Sequence, residues 1–198
     1  RDGNVARARA LLERGVAACD GAREVATDAR ATDRAQADVA QLLMSWAAIE
    51  MGEGRLAPAQ ALAARAHAAG AEAGKLHQLQ AMILLRQGLR KDARRVIEQG
   101  IELAPRHAPL YLLLGGILDA TNDIEGARAA FCEAMRLEPH DPRAYESWAR
   151  LEARLLNWDA LAKLDKLAKA AFPPERTGRR PVEEDEVPSV DLREGRDS

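Results

Sequence analysis

The chain has 198 residues, of which 47% are apolar, 30% charged and only 4% aromatic, with alanine the leading residue. Alanine loses no side-chain entropy in a helix, so this balance points to an all-α protein and away from a strand-rich one. No apolar run approaches the roughly 18 residues that a membrane span needs, and the net charge of -2 leaves a near-neutral body once residues 175–198, with eight acids and five bases, are set aside. Such a body neither demands nor forbids a nucleic-acid partner.

In chain order, the sequence starts at Arg1 rather than Met and reads as a piece of something longer. Gly3-Asn4 reads as a turn, and Ala8, Leu11, Leu12 and Gly15 follow in a small, bulky, small order, so residues 1–18 are expected to form the second helix of a truncated repeat. Residues 19–39, rich in Ala, Arg and Asp, are an insertion that either lengthens the flanking helices or forms a polar bulge.

From residue 40 the sequence repeats with a period of 34, in four units at 40–73, 74–107, 108–141 and 142–174. Trp46 and Trp148 stand three periods apart; Leu43, His77, Tyr111 and Tyr145 form one column, and Ala47, Ala81, Gly115 and Ala149 another. Small residues recur at Ala59, Ala93 and Ala127 and at Ala66, Gly100, Ala134 and Ala168, with prolines at Pro105, Pro139 and Pro173. Bulky residues suit the inner stripe of a helical hairpin, small ones let helices cross closely, and a proline ends the unit. The third unit shows the pattern best, with Tyr111, Leu114, Gly115 and Leu118 on a first helix, Asn122-Asp123 as the turn, and Ala127, Phe131 and Ala134 on a second. After Phe172 the chain changes to Pro173-Pro174, Arg179-Arg180-Pro181 and the acidic run Glu183 to Glu186, and 175–198 reads as a flexible acidic tail.

These columns resemble the tetratricopeptide repeat (TPR) family. Two units, through Trp46-Ala47-x-x-Glu50 and Trp148-Ala149-x-x-Glu152, also resemble the half-a-TPR (HAT) variant. The expected fold is an α-solenoid of antiparallel hairpins, with Trp46, Glu50, Tyr111, Gly115, Ala127, Phe131, Pro139, Trp148 and Glu152 as its structural positions. The HAT resemblance implies a scaffold for RNA processing or stabilisation, like the factors that mature chloroplast transcripts, and hence a chloroplast location.

No pattern carries catalysis, a cofactor or a metal. His67, His77, His107 and His140 are scattered, with packing expected for His77 and solvation for His107 and His140. Gly52-x-Gly54 lacks the lysine of a phosphate loop and reads as a hairpin turn. Cys19 and Cys132 match no metal or redox spacing, which suits small buried side chains in a reducing, intracellular compartment. Trp46, Trp148 and Trp158 are expected to pack between helices.

In a TPR solenoid the first helix of each pair lines the concave surface. That face should present Gln41, Met44, Ala48 and Met51, then Lys75, Gln78, Met82 and Arg86, then Leu112, Gly116 and Asp119, then Arg143, Glu146, Arg150 and Arg154. The charged members make it mildly basic, which suits single-stranded RNA or an acidic peptide. Met44, Ala48, Gln78 and Met82 occupy the places where a chaperone-tail clamp has Lys and Asn, so that ligand is disfavoured. The alternative to RNA is a protein-protein adaptor, with no membrane or small-molecule substrate and with self-association through the repeat ends as a further partner.

Overall fold

The computed structural model describes residues 2–25 and 29–173; the expected acidic tail lies outside the described residues. Among these, α1 (Asp2–Val25), α2 (Ala29–Gly52), α3 (Leu56–Ala68), α4 (Ala73–Arg86), α5 (Arg90–Leu103), α6 (Ala108–Ala120), α7 (Ile124–Leu137), α8 (Pro142–Arg154) and α9 (Trp158–Ala171) follow in order. The fold is all-α, with antiparallel hairpins α2–α3, α4–α5, α6–α7 and α8–α9 stacked as in TPR solenoids, and α1 packed on α2. Among the described residues, the backbones of α2, α4, α6 and α8 each approach the next of their row closely, whereas those of α3, α5, α7 and α9 stay farther from one another. The closely packed row is therefore the inside of the curve, and α2, α4, α6 and α8 line the concave face.

At the N-terminal end, Gly3 and Asn4 are helical rather than a turn, and residues 19–25 and 29–39 are helical as well. Both α1 and α2 run to 24 residues, against 13 or 14 for α3 to α9.

Each first helix ends in the same way. Gly54, Gly88, Asn122 and Leu156 have φ of 76°, 80°, 62° and 55° and stand 34 residues apart. At each, the residue with positive φ donates its N–H to the carbonyl three residues back, and its successor donates to the carbonyl five back, as in Gly54 to Met51 (3.1 Å) and Arg55 to Glu50 (2.9 Å). This is the Schellman stop, which satisfies the last carbonyls of the helix and reverses the chain. The successor then begins the next helix, and in two hairpins its side chain caps it: Asp123 accepts from the Gly126 N–H and Asn157 from the Ala160 N–H.

Of the second helices, α3 stops in the same way at Gly70, with φ of 77°, whereas α5, α7 and α9 end by another device. Ala104, Glu138 and Phe172 leave the helix with ψ of 69°, 79° and 70°, each just before Pro105, Pro139 or Pro173, because a proline ring excludes the helical region for the residue preceding it. The carbonyls of Pro105 and Pro139 then accept from the hydroxyls of Tyr111 and Tyr145, both at 3.0 Å.

The small columns sit where helices cross. Ala47, Ala59, Ala66, Ala81, Ala93 and Ala127 are fully buried, and a Cβ on Gly115 would lie 2.5 Å from the Phe131 ring, on Gly100 2.6 Å from His77 Cβ. Glu50 and Glu152 are buried too. Each accepts from an indole one turn earlier, Trp46 and Trp148, both at 2.9 Å. Each is closed by an arginine from the preceding helix, Arg9 or Arg128, both with Nε at 2.7 Å. Arg55 adds an ion pair to Glu50, and Asn157 Nδ2 donates to Glu152 at 2.8 Å. The two arginine links span 41 and 24 residues, a difference of 17, which is the excess of the 51-residue Ala8–Ala59 spacing over 34.

Trp158 departs from the packing expected of it: it is 68% exposed. Its column also contains Arg90, which is exposed as well, and lies at the start of the second helix, next to the hairpin turn. Cys132 is exposed and Cys19 half-buried, so neither is the fully buried residue expected. His107 is not simply solvated. It is half-buried against Gly74, with Nε2 2.9 Å from Gln78 Oε1, and burial pushes it below its ordinary value.

Candidate functional site

The concave row converges at its N-terminal half on one groove. Helices α2 and α4 bring Gln41, Met44, Ala48, Met51, Lys75, Gln78, Leu79 and Met82 around a cleft of about 260 Å³. Met44, Met51 and Leu79 are buried and form the floor, while Gln41, Ala48 and Lys75 are exposed. Residues three and four apart share a helix face, so Met44, Ala48 and Met51 lie along one stripe of α2, and Lys75, Leu79 and Met82 along one of α4. Among the described residues the only charged one lining it is Lys75, which is paired with Glu72 at 2.7 Å.

The other charges expected on this face are distributed along it and are largely engaged. Arg86 reaches back from α4 to donate Nη1 to the Met51 carbonyl at 3.4 Å, in the last turn of α2. Arg143 forks onto Asp141 through Nε at 2.9 Å and Nη2 at 2.8 Å, which holds the Asp141 carboxyl below the usual carboxylate range. Arg154 of α8 forms an ion pair with Asp119 of α6, tying adjacent first helices together. Glu146 lies at a separate recess between α8 and α9, beside Tyr145 and Leu164. Arg150 is exposed and forms no ion pair among the described residues. Lys75 and Gln78 thus come together at the groove, whereas Arg143, Arg150 and Arg154 lie two hairpins away and Arg86 is occupied at the groove's end.

Counting five bases missed their partners. Glu72 and Asp141 stand three residues before Lys75 and two before Arg143, spacings that were open to reading as local pairs. Leu79 was missed because the face was counted outward from the hairpin rather than down to the floor between neighbouring first helices. Among the described residues no cluster of three or more metal-ligating side chains occurs, and no helix is long and apolar enough to cross a membrane.

Residues 108–141 match the tetratricopeptide repeat model. No curated protein matches the chain in sequence. Among solved structures, BtubC (BKLC) from P. vanneervenii aligns with a TM-score of 0.63 and 18% identity, over 85% of this chain and 76% of that one. YrrB, described as a TPR protein with an unusual peptide-binding site, aligns at 0.55 and 18%, over 87% of this chain and 84% of its own. MamA residues 41 to the end from Desulfovibrio magneticus RS-1 align at 0.54 and 17%, over 89% and 97%. Neither the repeat match nor these structures carry the HAT, RNA-processing or chloroplast resemblance. With its third unit matched in sequence and its described helices sharing the fold, the chain is a helical-repeat protein of tetratricopeptide architecture.

Proposed function

We propose that this chain is a protein-binding scaffold, whose α2–α4 groove holds a segment of a partner polypeptide by its apolar side chains. The observation that carries this reading is the groove lining: Met44, Met51, Leu79 and Met82 form an apolar strip open along the concave face. Methionine side chains are unbranched and polarizable, so such a strip accommodates apolar side chains of varied shape. That YrrB is described as having a peptide-binding site supports the same use of the fold.

The RNA reading rested on the HAT resemblance and on a mildly basic face, and it is the weaker one here. Of its five bases, Lys75, Arg143 and Arg154 are paired with carboxylates and Arg86 with a carbonyl, so a phosphate backbone would have to displace contacts already made. The test is a peptide-library selection on the wild-type chain and on Met82→Glu, alongside titration of single-stranded RNA at two salt concentrations. The expected result is enrichment of apolar-anchored peptides by the wild type and not by Met82→Glu. Equal enrichment on both, or tight RNA binding that weakens steeply with salt, would overturn this reading.

A further inference from the structure

The junctions between successive units are built on shared columns, and one of them lacks its filling. Between α7 and α8, Phe131 and Trp148 fill the space above Leu151, and Arg128 and Glu152 close it. The corresponding fillers are Leu12 and Trp46 between α1 and α2, and Ile97 and Leu114 between α5 and α6. Between α3 and α4 they are Ala63 and Gln80, with Gln60 in place of the arginine and Leu84 in place of the glutamate. At this junction Ala63 stands where the sisters have Leu, Ile or Phe, the amide Gln80 stands where they have an indole or Leu, and a cavity of about 300 Å³ opens there.

We propose that this notch is a binding site for a neutral aromatic side chain, an indole presented by a partner polypeptide. The scaffold supplies the template, since two sister junctions seat an indole in the same column. Ala63 and Ile83, both 1% exposed, make an apolar floor, and Leu84 and Val96 wall it. The polar lining consists of two uncharged amides, Gln60 and Gln80. A charged side chain would lose its hydration there without a counter-charge, whereas an indole N–H finds an amide oxygen and its ring finds the apolar floor. The notch uses a different face of α4 from the concave groove: Gln80, Ile83 and Leu84 here, Lys75, Leu79 and Met82 there. It therefore stands or falls independently of the proposed peptide groove.

The test is a methyl NMR titration of the whole chain with N-acetyl-tryptophanamide, with N-acetyl-glutamate as the charged comparison. The expected result is saturable shifts at the methyls of Ala63, Ile83 and Val96 with the indole and none with the carboxylate. Affinity should fall at least tenfold in Gln80→Trp, which fills its own notch. The same fall is expected in Ala64→Phe, which narrows the mouth from an exposed position and leaves the buried floor intact. Met82→Glu, which alters the concave groove, should leave the titration unchanged. No saturable shift at these methyls, undiminished affinity in both notch variants, or shifts confined to Met44 and Met82 would overturn the proposal.

Discussion

The indole Nε1 of Trp148 donates to Glu152 Oε1 at 2.9 Å, inside a junction where Glu152 has no exposed surface. The Glu152 carboxyl is held at about 2 rather than 4.5, first by its hydrogen bonds from Arg128, against the opposing cost of burial, and then by Trp148 and Asn157. The unfolded chain takes up this proton near 4.5, while the native chain resists it down to about 2. The contribution is therefore complete above 4.5 and is lost as pH falls toward 2. Urea midpoints measured from pH 7 to pH 2.5 should fall across that window. Glu152→Gln should be less stable at pH 7 and show a shallower acid slope.

Leu156 occupies the left-handed position that Gly54, Gly88 and Asn122 fill in the sister hairpins. A branched side chain there opposes the backbone by about 1–2 kcal/mol. Its side chain is 68% exposed, so little packing is lost on removing it. Leu156→Gly should raise stability by about 1 kcal/mol, and Gly88→Ala should lower it by a similar amount, read as opposite shifts in urea midpoint.

Gly115 faces Phe131 so closely that a Cβ would sit 2.5 Å from a ring carbon, and Phe131 is itself 1% exposed and has nowhere to retreat. Gly115→Leu should destabilise by about 1–3 kcal/mol through overpacking. Gly116→Ala, next in sequence but facing open space, should leave the midpoint essentially unchanged or slightly raised.

Arg154 joins α8 to Asp119 of α6, and Arg150 projects to solvent without an ion pair among the described residues. Under the protein-binding reading, Arg150→Glu together with Arg154→Glu should leave the affinity for a groove-selected peptide within about twofold, because exposed charges two hairpins away are screened. Isothermal titration reads this directly; a large loss would place the ligand along the whole face.

The period of the fold was legible in sequence because the helix crossings tolerate only small residues, and Ala59, Ala93 and Ala127 show this even in isolation. The hairpin stop was harder to see. Gly54, Gly88, Asn122 and Leu156 share a backbone conformation and no side-chain chemistry, so the column dissolves at Leu156. Trp46 and Trp148 were visible as a pair, but the arginines that complete their clamps lie on the preceding helix at unequal separations, and only folding brings Arg9 to Glu50 and Arg128 to Glu152. Trp158 misled because its column was read from Leu56 and Ile124 without the dissenting Arg90. The groove floor depends on the approach of α2 to α4, a relation between repeats that no single repeat spells out.

The four methionines of the chain provide the decisive reporters of binding. Met44, Met51 and Met82 line the α2–α4 groove, while Met135 lies on α7, in the other helix row. With methyl-labelled methionine and a peptide selected by the wild type, the resonances of Met44, Met51 and Met82 should shift saturably and that of Met135 should stay in place. Saturable binding that leaves all three groove methyls unmoved would contradict a peptide site on the concave face.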